Sequence, residues 1–400
     1  MKKISFLFVL LSVFINSYGE DGLVVDNTQI VSGESAYIVV KMDFAENHDY
    51  VSYQFKVELP SGISLVKVEE TSGQASFVLP SNQPTNIFKI TDFPISNGIL
   101  KVASNPSTVI GAHEGVLVYI PVKATGSGLT SGDVLNGKLS GVTFTHANAS
   151  AEYFDDVDFT ITIADQVVLD ENSEIAPLAT SGNVNVKVQR NIKANKWSTI
   201  CLPFEMTEAQ AKVAFGNDVK LAYFDSYNVE KTGNDVTGIT IQFEKDDLSG
   251  GFAANYPYLI KVSKDITEFS VTATINPSDE IQATYSKGSG ANKRKGEFIG
   301  TYLANTEVPA NGLFIYNDKF YYSNGSTKMK AFRGYFRLDH VINVNNGARI
   351  GLSIDDEATG INMVHGSGVK ADSYYDLQGR KIENPKKGLY INNGKKVVVK

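Results

Sequence analysis

The sequence contains one cysteine, Cys201, among its 400 residues. Because a disulfide needs two thiols, none can form within the chain. The fold must therefore be held by hydrophobic cores, and a chain of this length can bury two or more of them. Cys201 lies in the apolar run WSTICLPF, and this setting predicts a buried, unreactive thiol and not a nucleophile.

Long apolar runs are also lacking. The run at residues 4–15 has 12 residues, whereas a membrane-spanning helix needs about 20. It follows Lys2 and Lys3 and precedes small residues that end at Gly19, which is the pattern of a secretory signal peptide over residues 1–19. The alternative is a buried N-terminal helix. We expect an exported, extracellular or cell-surface protein without a transmembrane anchor.

The chain has no excess of positive charge, since its formal net charge is −7. An acidic surface disfavours nucleic acid, whose phosphates attract basic proteins. Basic side chains are nevertheless concentrated at the end of the chain. Residues 374–400 contain seven lysines and arginines against two acidic residues, a net charge of +5. This contrast indicates that the tail has a role separate from that of the acidic body.

Sequence motifs for catalysis or cofactor binding are absent. None of the five histidines stands two to four residues from another, and neither an H-E-x-x-H motif nor a G-x-S-x-G motif occurs. The loop GSGANKRKG, residues 288–296, lacks the G-K-[ST] ending of a phosphate-binding loop. We therefore predict no catalytic residue, no cofactor and no dedicated metal site, although the sequence leaves open whether calcium binds.

Acidic doublets leave one enzymatic alternative. A glycoside hydrolase needs two carboxylates that face one bond, and the chain has three such doublets, Asp155-Asp156, Asp246-Asp247 and Asp355-Asp356. Doublets in turns are usually solvated, so a glycoside hydrolase is less favoured than the two non-catalytic functions given at the end of this subsection.

Alternation of apolar and polar residues is the main signal that is present. Segments such as SAYIVVKMDF, SYQFKVELP and DVDFTITI place apolar side chains at every second position, as half-buried strands do. Short turns rich in glycine, serine and asparagine separate them. The pattern predicts an all-β protein whose first domain, residues 21–165, is a β-sandwich.

The rest of the chain divides into three further segments. Residues 166–182 show no period and are predicted to be a linker or a domain edge. Residues 183–355 alternate again and predict a second β-rich domain with one short helix. Residues 356–400 are predicted to be a second linker followed by a small β tail.

Two local patterns are specific within the second domain. Thr207 and Gln210 form a capping-box pattern at the start of TEAQAKVAFG, and Gly216 predicts the end of that helix. The stretch FIYNDKFYY predicts a hairpin with Asn317-Asp318 as its two-residue turn.

Aromatic residues supply the candidate ligand-binding side chains. Tyr316, Phe320, Tyr321 and Tyr322 crowd the predicted hairpin, and sugars stack on exposed rings. Adjacent residues of a strand point to opposite faces, so at least one of Tyr321 and Tyr322 is expected at the surface. The alternative is that these rings pack across the strands and stabilise the hairpin. Trp197, the only tryptophan, is predicted to lie in the core.

The first domain resembles the cohesin family. The segment GVLVYIPVKATG places five residues at the family's apolar and glycine spacing, and a later strand adds Val142 and Phe144; the five are Gly115, Leu117, Ile120, Val122 and Ala124. The resemblance implies an immunoglobulin-like or jelly-roll sandwich. Family members bind dockerin modules or polysaccharide, but no binding residue carries over to this chain.

Two further resemblances concern the second half of the chain. The segments NIKANKWSTICLPFEMTEAQ and FRGYFRL resemble a β-rich module of exported proteins from gram-negative anaerobes. The tail is similar to the C-terminal sorting domain of type IX secretion substrates, and the matching positions include Asp376, Gly379, Arg380, Gly388 and Tyr390. This similarity implies that export machinery recognises the tail, at the surface of a gram-negative bacterium. The alternative is a tail strand that completes the second domain.

These observations predict an exported, non-catalytic binding protein. Its partner is expected to be a polysaccharide or a surface protein, recognised through the cohesin-like domain. The alternative is a structural or adhesive surface component without a glycan ligand.

Overall fold

The structure is a computed structural model of the chain. It describes residues 22–66, 93–96, 99–103, 114–233, 235–287, 294–339, 349–355, 357–363, 374–375, 381–382, 388–392 and 395–399. The predicted signal peptide, residues 1–19, lies outside these ranges. Within them the chain is almost entirely β-strand with one short helix, so the predicted all-β fold class is confirmed.

The chain forms two compact units, each built from three segments. The first unit comprises Met1–Asp170, Glu174–Gln189 and Ser270–Pro277. The second comprises Glu171–Ser173, Arg190–Phe269 and Ser278–Lys400. The sequence predicted that each domain is one continuous stretch of the chain, whereas each compact unit combines three separate stretches.

The first unit is a β-sandwich of two sheets. A four-stranded sheet has the order β1-β3-β8-β5, and a seven-stranded sheet has the order β2-β11-β9-β4-β7-β6, with β10 beside β9. β2 runs parallel to β11. The strands are β1 (Gly22–Val25), β2 (Thr28–Val31), β3 (Ser35–Asp43), β4 (Tyr50–Glu58), β5 (Ile63–Leu65), β6 (Phe93–Ser96), β7 (Ile99–Ala103), β8 (Glu114–Ala124), β9 (Val134–His146), β10 (Ala151–Tyr153) and β11 (Val157–Ala164).

Alternating side chains build the core of this sandwich. In β4, Tyr53, Phe55 and Val57 point inward and are fully buried, while Lys56 and Glu58 point outward. β11 repeats the arrangement with its own apolar residues inside. The two-residue period of a strand thus gives one apolar and one polar face, as the sequence predicted.

The segment predicted to be a linker, residues 166–182, is instead part of the fold. It contains β12 (Val167–Asp170), which pairs in parallel with β13 (Val184–Ile192), and β18 (Ile266–Ala273) completes a three-stranded sheet. Ser181 donates hydrogen bonds from its N–H and hydroxyl to the Glu34 carboxylate. The sequence did not reveal β12 because the strand has only four residues and side-chain hydrogen bonds hold much of the rest, so no period is visible.

The second unit is built on an eleven-stranded sheet of order β14-β17-β15-β16-β26-β27-β23-β22-β25-β20-β19, with a separate pair β21-β24. Phenylalanines and aliphatic residues fill its main core. The strands are β14 (Trp197–Ile200), β15 (Lys220–Thr232), β16 (Asp235–Asp246), β17 (Tyr258–Lys261), β19 (Gln282–Lys287), β20 (Arg294–Thr301), β21 (Thr306–Val308), β22 (Leu313–Tyr316), β23 (Lys319–Tyr322), β24 (Thr327–Met329), β25 (Arg333–Asp339), β26 (Arg349–Ile354) and β27 (Glu357–Met363).

The helix of the second unit, α1 (Glu208–Phe215), has the predicted capping box. The Gln210 N–H donates to the Thr207 hydroxyl, and the Thr207 N–H donates to the Gln210 side chain over 2.9 Å. Gly216 ends the helix with φ 99°, a value that favours glycine. No helix in the described ranges is both long and apolar enough to span a membrane.

The tail forms a small sheet of its own, as predicted. Its order is β29-β28-β30-β31, with β28 (Tyr374–Tyr375), β29 (Lys381–Ile382), β30 (Gly388–Asn392) and β31 (Lys395–Val399). Gly388 and Tyr390 lie in β30 and pair with Val399 and Val397. The other proposed sorting residues, Asp376, Gly379 and Arg380, lie outside the described residues.

Candidate binding surfaces

The aromatic hairpin predicted from the sequence is present in the second unit. β22 and β23 are antiparallel, and Asn317 and Asp318 connect them with φ values of 51° and 57°. Two consecutive positive φ values are typical of the type I′ turn, whose twist matches that of the strands. The predicted two-residue turn is therefore confirmed.

Side-chain hydrogen bonds fix the tip of this hairpin to Lys196 and to Trp197, the first residue of β14. The Asp318 carboxylate accepts a hydrogen bond of 2.9 Å from the backbone N–H of Trp197. The Lys196 ammonium donates to the Asn317 side-chain oxygen over 3.1 Å. Both turn residues therefore position the hairpin as well as closing it.

The inner face of the hairpin belongs to the core. Phe320 is 0% exposed, and its ring contacts the ring of Phe336. Tyr322 and Ile315 pack against the same core, and burial raises the pKa of Tyr322 to about 12. Phe320 was proposed as a ligand-binding residue, but its ring is fully occupied by packing.

The outer face carries three rings, which we call the aromatic strip: Phe314, Tyr316 and Tyr321. Tyr316 is 63% exposed. The rings of Phe314 and Tyr321 are nearly parallel, with centroids 5.6 Å apart, and those of Tyr316 and Tyr321 meet edge to face at 6.3 Å. Phe314 was not among the predicted residues. The predicted turn could have identified this residue, because a two-residue connection at Asn317-Asp318 pairs Phe314 with Tyr321 across the hairpin.

Trp197 is half buried beside the hairpin. Its ring packs against the main core of the second unit, and the Lys261 ammonium lies 6.0 Å from the ring centroid. That distance is at the limit for a cation–π contact. Trp197 is therefore at the edge of the core and not fully inside it.

A second candidate surface is the outer face of the seven-stranded sheet in the first unit. Register places Glu58, Lys138 and Asp158 in one row across three strands. Lys138 also forms an ion pair of 3.0 Å with Asp156. A further row contains Lys56 and Ser140. The face is polar and mixes both signs of charge, so it can form directed ion pairs and hydrogen bonds with a polar partner.

At one end of this sandwich a histidine lies between two carboxylates. His146 Nδ1 contacts Asp49, and Nε2 lies 3.0 Å from Glu152, which also accepts a hydrogen bond of 2.7 Å from the Tyr50 hydroxyl. The hydrogen bond to Asp49 raises the pKa of His146, burial opposes it, and Glu152 raises it further. The same hydrogen bond lowers the pKa of Asp49. The cluster joins the loop after β3 to the end of β9 and to β10.

A buried ion cluster in the second unit surrounds Glu171. This carboxylate receives hydrogen bonds from Asn191, Lys330 and Arg333, at 2.8, 3.1 and 2.6 Å, and Arg190 lies 3.5 Å away. Burial raises the pKa of Glu171, but these partners outweigh it, and the pKa falls to about 2. So weak a base, shielded from solvent, is suited to holding the fold together and not to accepting protons from a substrate.

The single thiol is also unsuited to chemistry. Cys201 is buried, as predicted, and burial raises its pKa to about 12. Since the thiolate is the nucleophilic form, the thiol is unreactive near neutral pH. Among the described residues, no group of three or more histidine, cysteine, aspartate or glutamate side chains could hold a metal ion.

Comparison with known proteins gives similarity to solved structures alone. No protein-family model matches the chain, and no curated protein matches it.

The sixth cohesin of scaffoldin B from Acetivibrio cellulolyticus, solved with a dockerin mutant, is 15% identical with a TM-score of 0.30; the match covers 36% of this chain and 99% of that chain. A non-cellulosomal cohesin from Archaeoglobus fulgidus is 14% identical with a TM-score of 0.29, covering 36% and 92%. A cohesin module of a family 33 glycoside hydrolase from Clostridium perfringens is 10% identical with a TM-score of 0.28, covering 36% and 96%. Cohesin domains are thus among the solved structures to which about a third of this chain is similar.

Proposed function

We propose that the chain is an exported, non-catalytic binding protein. The first unit recognises a surface protein or a polysaccharide through the outer face of its seven-stranded sheet. The observation that carries the proposal is the row formed by Glu58, Lys138 and Asp158. Alternating charges on this face favour a protein partner, because complementary charges speed association and fix its register.

The environments of Glu171 and Cys201, whose pKa values are shifted by the interior of the second unit, support a non-catalytic role. Glu171 is held by cations and Cys201 is buried as a thiol. Both side chains serve the interior of the second unit. Binding through a flat sheet requires neither a nucleophile nor a base.

The test uses the full chain without residues 1–19. Binding is measured by interferometry against a polysaccharide panel and against surface proteins of the producing bacterium. A Lys56→Glu and Lys138→Glu double variant should lose the interaction that the wild type shows, since both reversals lie on the proposed face. Lys220→Glu, at an exposed residue of the second unit, should retain it.

Binding that survives the double reversal, or self-association of a protein that binds nothing in the panel, contradicts the proposal. The second result would instead favour a structural or adhesive component of the cell surface.

Export is proposed to use both ends of the chain. Residues 1–19 direct secretion, and the basic tail is recognised by export machinery through Asp376, Gly379, Arg380, Gly388 and Tyr390. The separate sheet of the tail supports this proposal, because a recognition element benefits from its own small fold. Fusion of residues 356–400 to an inert exported reporter should increase its surface delivery, and unchanged delivery would refute the role of the tail.

A further inference from the structure

We propose that the aromatic strip of the β22–β23 hairpin, formed by Phe314, Tyr316 and Tyr321, binds an anionic polysaccharide, with the rings stacking on sugar faces and neighbouring lysines pairing with acidic groups. This site lies in the second unit. It is therefore separate from the sheet face of the first unit and does not rest on the function proposed for that face.

The two faces of the hairpin differ in what their rings contact. Phe320 and Tyr322 on the inner face already pack against the core, so the outer rings are not needed to fill it. Tyr316 is nevertheless mostly exposed. An aromatic ring that stays in water does not gain the free energy that burial of its apolar surface would provide. A ligand that covers the ring would provide that free energy on binding.

The shape and chemistry of the strip fit a sugar chain. Centroid separations of 5.6 and 6.3 Å make the three rings a continuous apolar strip. Tyr316 and Tyr321 add hydroxyl groups at the edges of their rings. Sugars present apolar C–H faces bordered by hydroxyl groups, so rings with polar edges complement them, as amphipathic tyrosines do at other interfaces.

Charge selects the kind of polysaccharide. Lys319 is exposed and pairs directly with Tyr316 across the hairpin, so both side chains lie on the same face. The Lys196 ammonium also lies at the turn, where it donates to the Asn317 side chain. Asp318 is the one carboxylate among the turn and strand residues of the hairpin, and it accepts the Trp197 N–H. Two ammonium groups, those of Lys319 and Lys196, thus lie with one carboxylate at the hairpin tip of a chain whose net charge is −7, which favours a carboxylated or sulfated sugar chain over a neutral one.

The site is held in place before a ligand arrives. The type I′ turn and the hydrogen bonds from Lys196 and Trp197 fix the hairpin tip. Because the rings do not have to be ordered on binding, less entropy is lost. A weak individual stacking contact can then contribute to affinity.

The test measures binding of the full chain, without residues 1–19, to polygalacturonate, dextran sulfate and neutral dextran by affinity electrophoresis. We expect the carboxylated and sulfated chains to retard the protein and neutral dextran to leave it unretarded. Tyr316→Ala and Tyr321→Ala should each weaken binding about tenfold. Lys319→Gln should weaken binding at low salt and reduce its dependence on ionic strength.

The matched control is Val213→Ala, which trims an apolar side chain that is 84% exposed on α1 of the second unit and should leave binding unchanged. Tyr321→Phe should retain most of the affinity, and circular dichroism checks that each variant is folded. Equal binding of neutral dextran, undiminished binding by both alanine variants, or no binding by the wild type would overturn the proposal. The same assay is repeated on the Lys56→Glu and Lys138→Glu double variant, in which the charged chains should still retard the protein and Tyr316→Ala should still weaken that binding, so the two proposals fail independently.

Discussion

Phe159 lies directly opposite Gly137 on neighbouring strands of the first unit, and its ring occupies the space that a Cβ atom on Gly137 would need. The ring Cζ atom is 2.3 Å from the position of such a Cβ. Phe159 is buried in the sandwich core. The absence of a side chain at Gly137 therefore allows an aromatic ring to lie across β9.

Gly137→Ala should destabilise the protein by about 1–3 kcal/mol, because the added methyl group forces Phe159 out of its position. The midpoint of urea denaturation measures this change. Gly182→Ala is the control, since nothing lies within 4 Å of its Cβ position. A midpoint for Gly137→Ala equal to that of the control would show that the ring moves without cost.

The charged cluster at His146 should make stability depend on pH. The pKa of His146 is raised in the folded protein. The histidine therefore contributes its full share to the free energy of unfolding below the unfolded pKa of about 6.5, and this stabilisation is lost as pH rises through the folded pKa. The pKa of Asp49 is lowered in the folded protein, so the stability that this carboxylate contributes is lost only as pH falls below about 4. His146→Gln should therefore lower the melting temperature most between about pH 4 and 6.5, and least above pH 8.

The comparison for this profile is Lys138→Gln, which removes the ion pair with Asp156. Both members of that pair stay charged from about pH 5 to 8, so the loss in melting temperature should be constant there. Imidazole NMR shifts would give the pKa of His146 directly. A value at or below that of an unfolded histidine contradicts the assignment.

Sequence patterns predicted those parts of the fold that depend on local chemistry. The alternation in β4 and β11, the capping box of Thr207 and Gln210, and the Asn317-Asp318 turn are set by neighbours within a few residues, and each is present. Contacts between distant segments were not predictable. Glu171 meets Arg333 from 162 positions away, so no local pattern marks it.

The same distinction applies to the candidate surfaces. Alternation places Tyr321 and Tyr322 on opposite faces, but it does not say which face meets the core. The structure gives the inner face to Tyr322 and Phe320 and the outer face to Tyr321, with Phe314 added across the hairpin. The charged row of the first unit depends on strand order and register, which one sequence does not reveal.

Glu171→Gln should be among the most destabilising conservative substitutions in the second unit. The amide has the shape of the carboxylate but cannot balance the charges of Arg190, Lys330 and Arg333. Leaving buried charge unpaired costs about 3–5 kcal/mol. Because the pKa of Glu171 is about 2 in the folded protein, the difference from wild type should persist at neutral pH and diminish as pH falls below about 4.5.

Lys193→Gln provides the comparison for the buried cluster. It removes an ion pair of 2.7 Å with Asp265 in which both side chains are largely exposed, and such pairs contribute about 1 kcal/mol or less. Denaturant titration of both variants at pH 7 measures the contrast. Equal losses would mean that water reaches Glu171 in the folded protein.

Cys201 should be inert in the folded protein. Its burial and a pKa of about 12 keep it as an inaccessible thiol, so reaction with a thiol reagent at pH 8 should proceed only as fast as the second unit unfolds. Val213→Cys supplies a reactive comparison, because Val213 on α1 is 84% exposed. The folded variant should react at one thiol quickly, and the unfolded variant at two. Rapid labelling of Cys201 in the folded wild type would show that the core around it opens far more often than its packing implies.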